Sequence, residues 1–161
     1  RMPQPEYMPG LSFDYLYDEP ILLVGRAGHP AAADPAPRAL ARHPVILPNP
    51  GAIIRQTVDR YLAAQGLAGL VPAFETVALP VALGLLERSD LLWFISRGVV
   101  ERELQRGTLV ALDLRSDYMA GAVGLTRQFT FDADSPADLL ARLLHERARD
   151  LTAPAESGHT A

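Results

Sequence analysis

Apolar positions along the chain fall into two alternating patterns. Short solid blocks come first: Ile21-Leu22-Leu23-Val24, Val45-Ile46-Leu47, Leu91-Leu92-Trp93-Phe94-Ile95 and Leu109-Val110-Ala111-Leu112. Unbroken apolar runs of this length suit strands buried on both faces. Between them lie segments with helical spacing. Behind the turn cluster Pro48-Asn49-Pro50-Gly51, residues Ile54, Val58, Tyr61, Leu62 and Gln65 share one helix face, and Gly66 supplies the stop. A short helix is predicted over Asp34–Arg42, an almost wholly apolar one over Leu79–Arg88 with Pro80 in its first turn, and another over Val99–Arg106. Val71–Thr76 and Ala120–Thr126 read as further strands, and Leu11–Tyr17 as an imperfectly alternating extended segment set apart from the Ile21 block by Asp18-Glu19-Pro20. Pro136–Leu151 is an amphipathic helix with Leu139, Leu140, Leu143, Leu144 and Ala148 inward and Ser135 as N-cap. Residues Arg1–Gly10 are proline-rich and irregular, and 152–161 read as a disordered tail. Alternation of solid strands with helices predicts an α/β fold with a mainly parallel sheet covered on both faces.

Charge and composition narrow the function. With 15 basic and 19 acidic residues, the formal charge is −4, and the arginines are interleaved with acids. A DNA-reading surface carries a basic surplus on one face, and none is visible. All basic residues are arginine and cysteine is absent, which excludes disulfides and thiol chemistry and fits a cytoplasmic protein. No apolar run approaches the ~20 residues of a membrane helix, so no membrane association is expected. There is no nucleophile elbow, Walker A loop or paired-histidine zinc motif. The histidines 29, 43, 145 and 159 lack metal spacing. No metal, cofactor or catalytic residue is expected, and the chain is not read as an enzyme.

Three strand-to-helix junctions carry the candidate site. They are Leu47 to Arg55, Phe74 to Leu79 and Phe94 to Val99. In an open parallel sheet such junctions share the carboxyl edge, where ligands bind against free helix N–H groups. The candidate effector contacts are Asn49, Gly51, Ala52, Ile53 and Arg55; Thr76 and Val77; and Phe94, Ile95, Ser96 and Arg97. Glycines permit close approach, Thr76 and Ser96 offer hydroxyls, and Arg55 and Arg97 suit a carboxylate. Equally, Thr76 and Ser96 suit helix caps, Arg55 a surface position, and Trp93 and Phe94 the core before a ligand platform. The constellation fits a small carboxylated ligand and suggests no bond-breaking.

At these junctions the sequence resembles the effector-binding domains of LysR-type transcription regulators. The resemblance rests on Leu16-Tyr17-Asp18-Glu19-Pro20 leading to Gly28-His29-Pro30, on Leu47 to Arg55, on Glu75-Thr76, on Ser89 to Val100, on Gly107 to Val110 and on Gly121 to Arg127. It runs from about Leu11 to Leu151 and looks most like the branch of protocatechuate-operon and sugar-binding-protein regulators. It implies a two-lobed, periplasmic-binding-protein-like (type 2) fold, with the second lobe complete and the first partial. Residues 1–15 would belong to lobe one, 16–112 to lobe two and 113–151 to the return segment of lobe one. The chain reads as a piece of a regulator whose DNA-binding helix-turn-helix lies upstream. The resemblance also implies a small-molecule inducer, a carboxylated intermediate of aromatic catabolism, bound between two lobes. DNA contact would come only through that upstream segment. A homo-oligomer, dimer or tetramer, would use Val99–Arg106 and Thr108–Leu112. The alternatives are a transporter's solute-binding module of the same fold, and a related α/β enzyme, for which Glu75 alone would be placed to act.

Overall fold

The computed structural model describes residues 10–128 and 135–152. The expectations for residues 1–9 and for the tail beyond Thr152 lie outside the described residues. In chain order the elements are β1 (Leu11–Arg26), α1 (Ala36–Leu40), β2 (Val45–Leu47), α2 (Ile53–Ala64), β3 (Phe74–Glu75), α3 (Leu79–Leu86), β4 (Leu92–Ser96), α4 (Arg97–Gln105), β5 (Leu109–Leu112), β6 (Ala120–Gln128) and α5 (Pro136–Thr152). The chain divides into two compact units: Glu19–Gly121, and Arg1–Asp18 together with Ala122–Ala161.

The Glu19–Gly121 unit is built on strands ordered β3-β2-β4-β1-β5. β2 runs parallel to β3 and β4. β1 runs antiparallel to β4, with Ile21 opposite Ser96 and Val24 opposite Trp93, and antiparallel to β5. The sheet is therefore mixed, not mainly parallel. An apolar block reports burial on both faces and is silent on direction. The blocks do fill the core: Ile21, Leu23, Val24, Val45–Leu47 and Leu91–Ile95 are almost fully buried. Each such side chain contributes about 1.5–3 kcal/mol on leaving water. The Phe94 ring packs edge-on against Tyr61 of α2, centroids 6.0 Å apart, and the Tyr61 hydroxyl donates to the Leu114 carbonyl.

α2 buries Ile54, Thr57, Val58, Tyr61 and Leu62, the spacing of a single helical stripe. It ends where Gly66 takes φ +74°. Gly66 N–H then reaches the Ala63 carbonyl and Leu67 N–H the Leu62 carbonyl, the paired closure that a left-handed residue makes possible. The predicted Val71–Thr76 strand shrinks to two residues, consistent with Pro72 removing a donor near its start.

In the other unit β1 and β6 pair, with Ser12 Oγ donating to the Arg127 carbonyl at 3.4 Å. The extended segment and the Ile21 block are one 16-residue strand. Pro20 costs the ladder one donor without turning the chain, because its fixed φ remains compatible with extended backbone. Asp14 holds both Arg127 at 3.0 Å and His145 of α5 at 2.8 Å. Ser135 caps α5 as expected, accepting the Asp138 N–H. The inward face differs from the sequence expectation: Ala141 and Ala148 are buried, while Leu139, Leu140, Leu143 and Leu144 are exposed. Among the described residues, only two strand segments are available to α5 within this unit, and they cover one side of it.

Candidate functional site

Because β3, β2 and β4 are parallel neighbours, their carboxyl ends lie along one edge of the sheet. The helices α2, α3 and α4 start there, each with an extended N-cap residue: Ala52, Ala78 and Ser96. None of the three carries a side-chain cap bond. The first N–H groups of three helices and their positive ends therefore gather on that edge.

The first junction is organised by Arg55. Its Nη1 donates to the Pro48 carbonyl and to Glu75 Oε1, both at 2.7 Å, and its Nε to Asp59 Oδ1 at 2.8 Å. The Arg55 side chain is only 16% exposed. Burial pulls the guanidinium pKa down, but hydrogen bonds to Glu75 and Asp59, with their charges, outweigh it and hold it above its ordinary value. Asn49 Nδ2 donates to the Glu75 carbonyl at 3.4 Å. Gly51 is exposed, Ala52 half-buried, and Ile53 59% exposed at the start of α2. Arg55 thus ties the first junction to the second and is charge-compensated.

At the second junction Thr76 Oγ1 accepts the Ala78 N–H at 3.0 Å, a local turn rather than a helix cap. The Thr76 carbonyl accepts the indole N–H of Trp93 at 3.1 Å. Trp93 itself is fully buried, so this bond satisfies its one polar atom while anchoring the junction. Val77 is 43% exposed.

At the third junction Phe94 and Ile95 put their side chains into the core. Their main chain pairs with Leu23 and Leu22 of β1, so neither side chain is offered to a ligand at the edge. Ser96 is half-buried. Arg97 points outward and pairs with Glu101 at 2.9 Å, one helical turn on. Two further residues belong to this edge and were missed in the sequence. Val99 exposes an apolar side chain in the first turn of α4. Glu19 Oε1 accepts the Gly98 N–H. The signal for Glu19 is its place two residues before Ile21, whose pairing with Ser96 sets Glu19 across from Gly98. That requires the antiparallel register of β1, which no local pattern reveals.

The edge thus offers helix N–H groups, compensated arginines and three exposed apolar side chains. Among the described residues no group of histidines, cysteines and acids is arranged to hold a metal ion. No helix among them is long and apolar enough to cross a membrane.

Residues 2–149 match the LysR substrate binding domain family. The HTH-type transcriptional regulator PcaQ of Agrobacterium fabrum is 33% identical over 153 residues, 94% of this chain and 49% of the regulator. The chain therefore spans about half the length of that relative. The Synechocystis CcmR regulatory domain, solved in complex with 2-PG, superposes with TM-score 0.76 at 17% identity, covering 95% of this chain and 73% of that one. The effector binding domain of QuiR in complex with shikimate gives TM-score 0.68 at 15% identity, covering 92% and 70%. At those identities the structural likeness establishes the fold alone, which is the two-lobed α/β fold of LysR regulatory domains.

Proposed function

The chain belongs to the LysR substrate binding domain family, and on that premise we propose that its Glu19–Gly121 unit carries lobe two and receives an inducer at the edge where α2, α3 and α4 begin. The inducer is a small carboxylated molecule with an apolar body, of the kind met in aromatic catabolism. The observation that carries this reading is the convergence of three helix N-termini, none capped by its own N-cap side chain, with the exposed side chains of Ile53, Val77 and Val99 on one sheet edge. Backbone N–H groups answer an anionic group, and the aliphatic side chains answer a ring. Arg55 serves by ordering the junction, since its charge is already met by Glu75 and Asp59. Solved relatives that hold 2-PG and shikimate support a small-ligand site in this fold.

In the intact regulator, DNA contact belongs to a helix-turn-helix outside this chain, and the working form is a homo-oligomer in the cytoplasm. Inducer acts by its difference in affinity between two arrangements of the regulator, which shifts their populations. The chain is a sensor and performs no catalysis.

The test is calorimetric titration of the full-length regulator with 3,4-dihydroxybenzoate and related acids, and with neutral sugars. Wild type is compared with Arg55→Ala, Thr76→Ala and Ser96→Ala. Loss of one charge-assisted contact or its support weakens acid binding roughly ten- to a hundredfold. Equal binding of acids by all four proteins removes this edge as the site. Binding of a neutral sugar alone leaves the sensor role standing and ends the acid assignment.

A further inference from the structure

The N–H of Gly98 is the second in α4, the one an N-cap side chain ordinarily takes. Ser96 occupies the N-cap position without making that bond. The acceptor is instead the carboxylate of Glu19, 79 residues earlier in the chain. The fit is close: a Cβ at Gly98 would stand 3.1 Å from Glu19 Oε1. A protein carboxylate is therefore seated on the positive end of α4, at the edge assigned above to the inducer's own carboxylate. Arg97, the neighbouring cation, is turned to Glu101, so the Gly98 N–H and the helix end are what hold the anion there.

We propose that Glu19 is an internal competitor for the inducer's carboxylate, and that acid binds at α4 by taking the Gly98 N–H and turning Glu19 out. This rests on the acid reading of the site. Glu19 opens the Glu19–Gly121 unit, immediately after Asp18 closes the preceding segment of the other unit. Exchange of one carboxylate for another thus releases the Glu19 side chain from α4 at the point where the chain passes between units, which gives ligand occupancy a covalent path along β1. It also sets specificity. A ligand without an anionic group cannot replace Glu19, because turning out a carboxylate for a neutral group leaves the helix end with the weaker partner.

The experiment is titration of the full-length regulator with 3,4-dihydroxybenzoate and with its uncharged amide, in wild type, Glu19→Gln and Asp18→Asn. The glutamine side chain keeps the shape and loses the charge. The expected result is acid binding about tenfold tighter in Glu19→Gln, with amide binding, weak in wild type, also tighter, because a neutral group no longer has to displace a carboxylate. Asp18, exposed and adjacent, reports the general field of one acid near the edge, so Asp18→Asn is expected to change acid binding by less than about twofold at 0.15 M salt. Acid binding that is unchanged or weaker in Glu19→Gln overturns the competitor role while leaving the acid reading intact. Equal tightening in Asp18→Asn overturns it as well, since the effect is then only a field. If neither wild type nor Glu19→Gln binds the acid, the acid reading and the competitor role both fall.

Discussion

The indole N–H of Trp93 donates to the carbonyl of Thr76 at 3.1 Å, joining the middle of β4 to the junction that launches α3. Trp93 is fully buried and Thr76 is half-buried. The bond therefore fixes a loop at the carboxyl edge of the parallel strands from inside the core. Trp93→Phe removes the donor and part of the ring volume. Unfolding in urea followed by circular dichroism is expected to show a loss of about 2–4 kcal/mol. Little or no loss would mean that the junction holds itself.

Arg55 makes three hydrogen bonds to three separate groups: Pro48, Asp59 and Glu75. A lysine can carry the charge but cannot span them, because an ammonium lacks the planar fork. Arg55→Lys is expected to lose about 1–2 kcal/mol of stability and to loosen the first two junctions, seen as faster amide exchange at Gly51–Ile53 and Thr76–Ala78. Wild-type exchange in the lysine variant would refute the organising role.

His29 is buried, and its Nδ1 accepts the Ala31 N–H at 3.1 Å. Burial pushes the imidazole pKa down. His43 and Arg26 act in the same direction, against the Asp90 backbone and carboxylate. A base whose folded pKa is lowered adds stability that is full above the unfolded value of about 6.5 and is lost as pH falls below it. Protonating Nδ1 also breaks the Ala31 bond. Denaturant midpoints are expected to fall as the pH drops below about 6.5, and less steeply in His29→Phe. An identical acid limb in that variant would assign the loss to other groups.

Gly124 lies in β6 where a Cβ would run into the Asp14 carbonyl oxygen and the Phe13 ring. Gly124→Ala is expected to cost about 1–3 kcal/mol through overpacking, and the damage should fall on the unit that holds Asp14 and α5. Trp93 is the only tryptophan and lies in the other unit, so its emission should persist while proteolysis near β6 and α5 accelerates. Simultaneous loss of both signals would show that the two units unfold together.

Much of this protein can be read without coordinates, because burial within one element leaves a local trace. The stripe Ile54, Val58, Tyr61 and Leu62, the stop at Gly66 and the solid strands at Ile46 and Phe94 all follow from periodicity and turn chemistry. So do the three junctions, since each is a strand end followed by a helix start. Periodicity also has limits: it marks an apolar face and does not say what covers it, which is why Leu139, Leu140, Leu143 and Leu144 looked inward and stand exposed. Strand direction and register have no local trace either. The antiparallel run of β1 beside β4 brings Glu19 to Gly98 across 79 residues, and the parallel pairing of β2 with β3 brings Arg55 to Glu75 across 20. Those two meetings decide which charges at the candidate edge are already answered, and they arise from pairing between distant segments, which depends on the whole sheet rather than on any stretch of sequence.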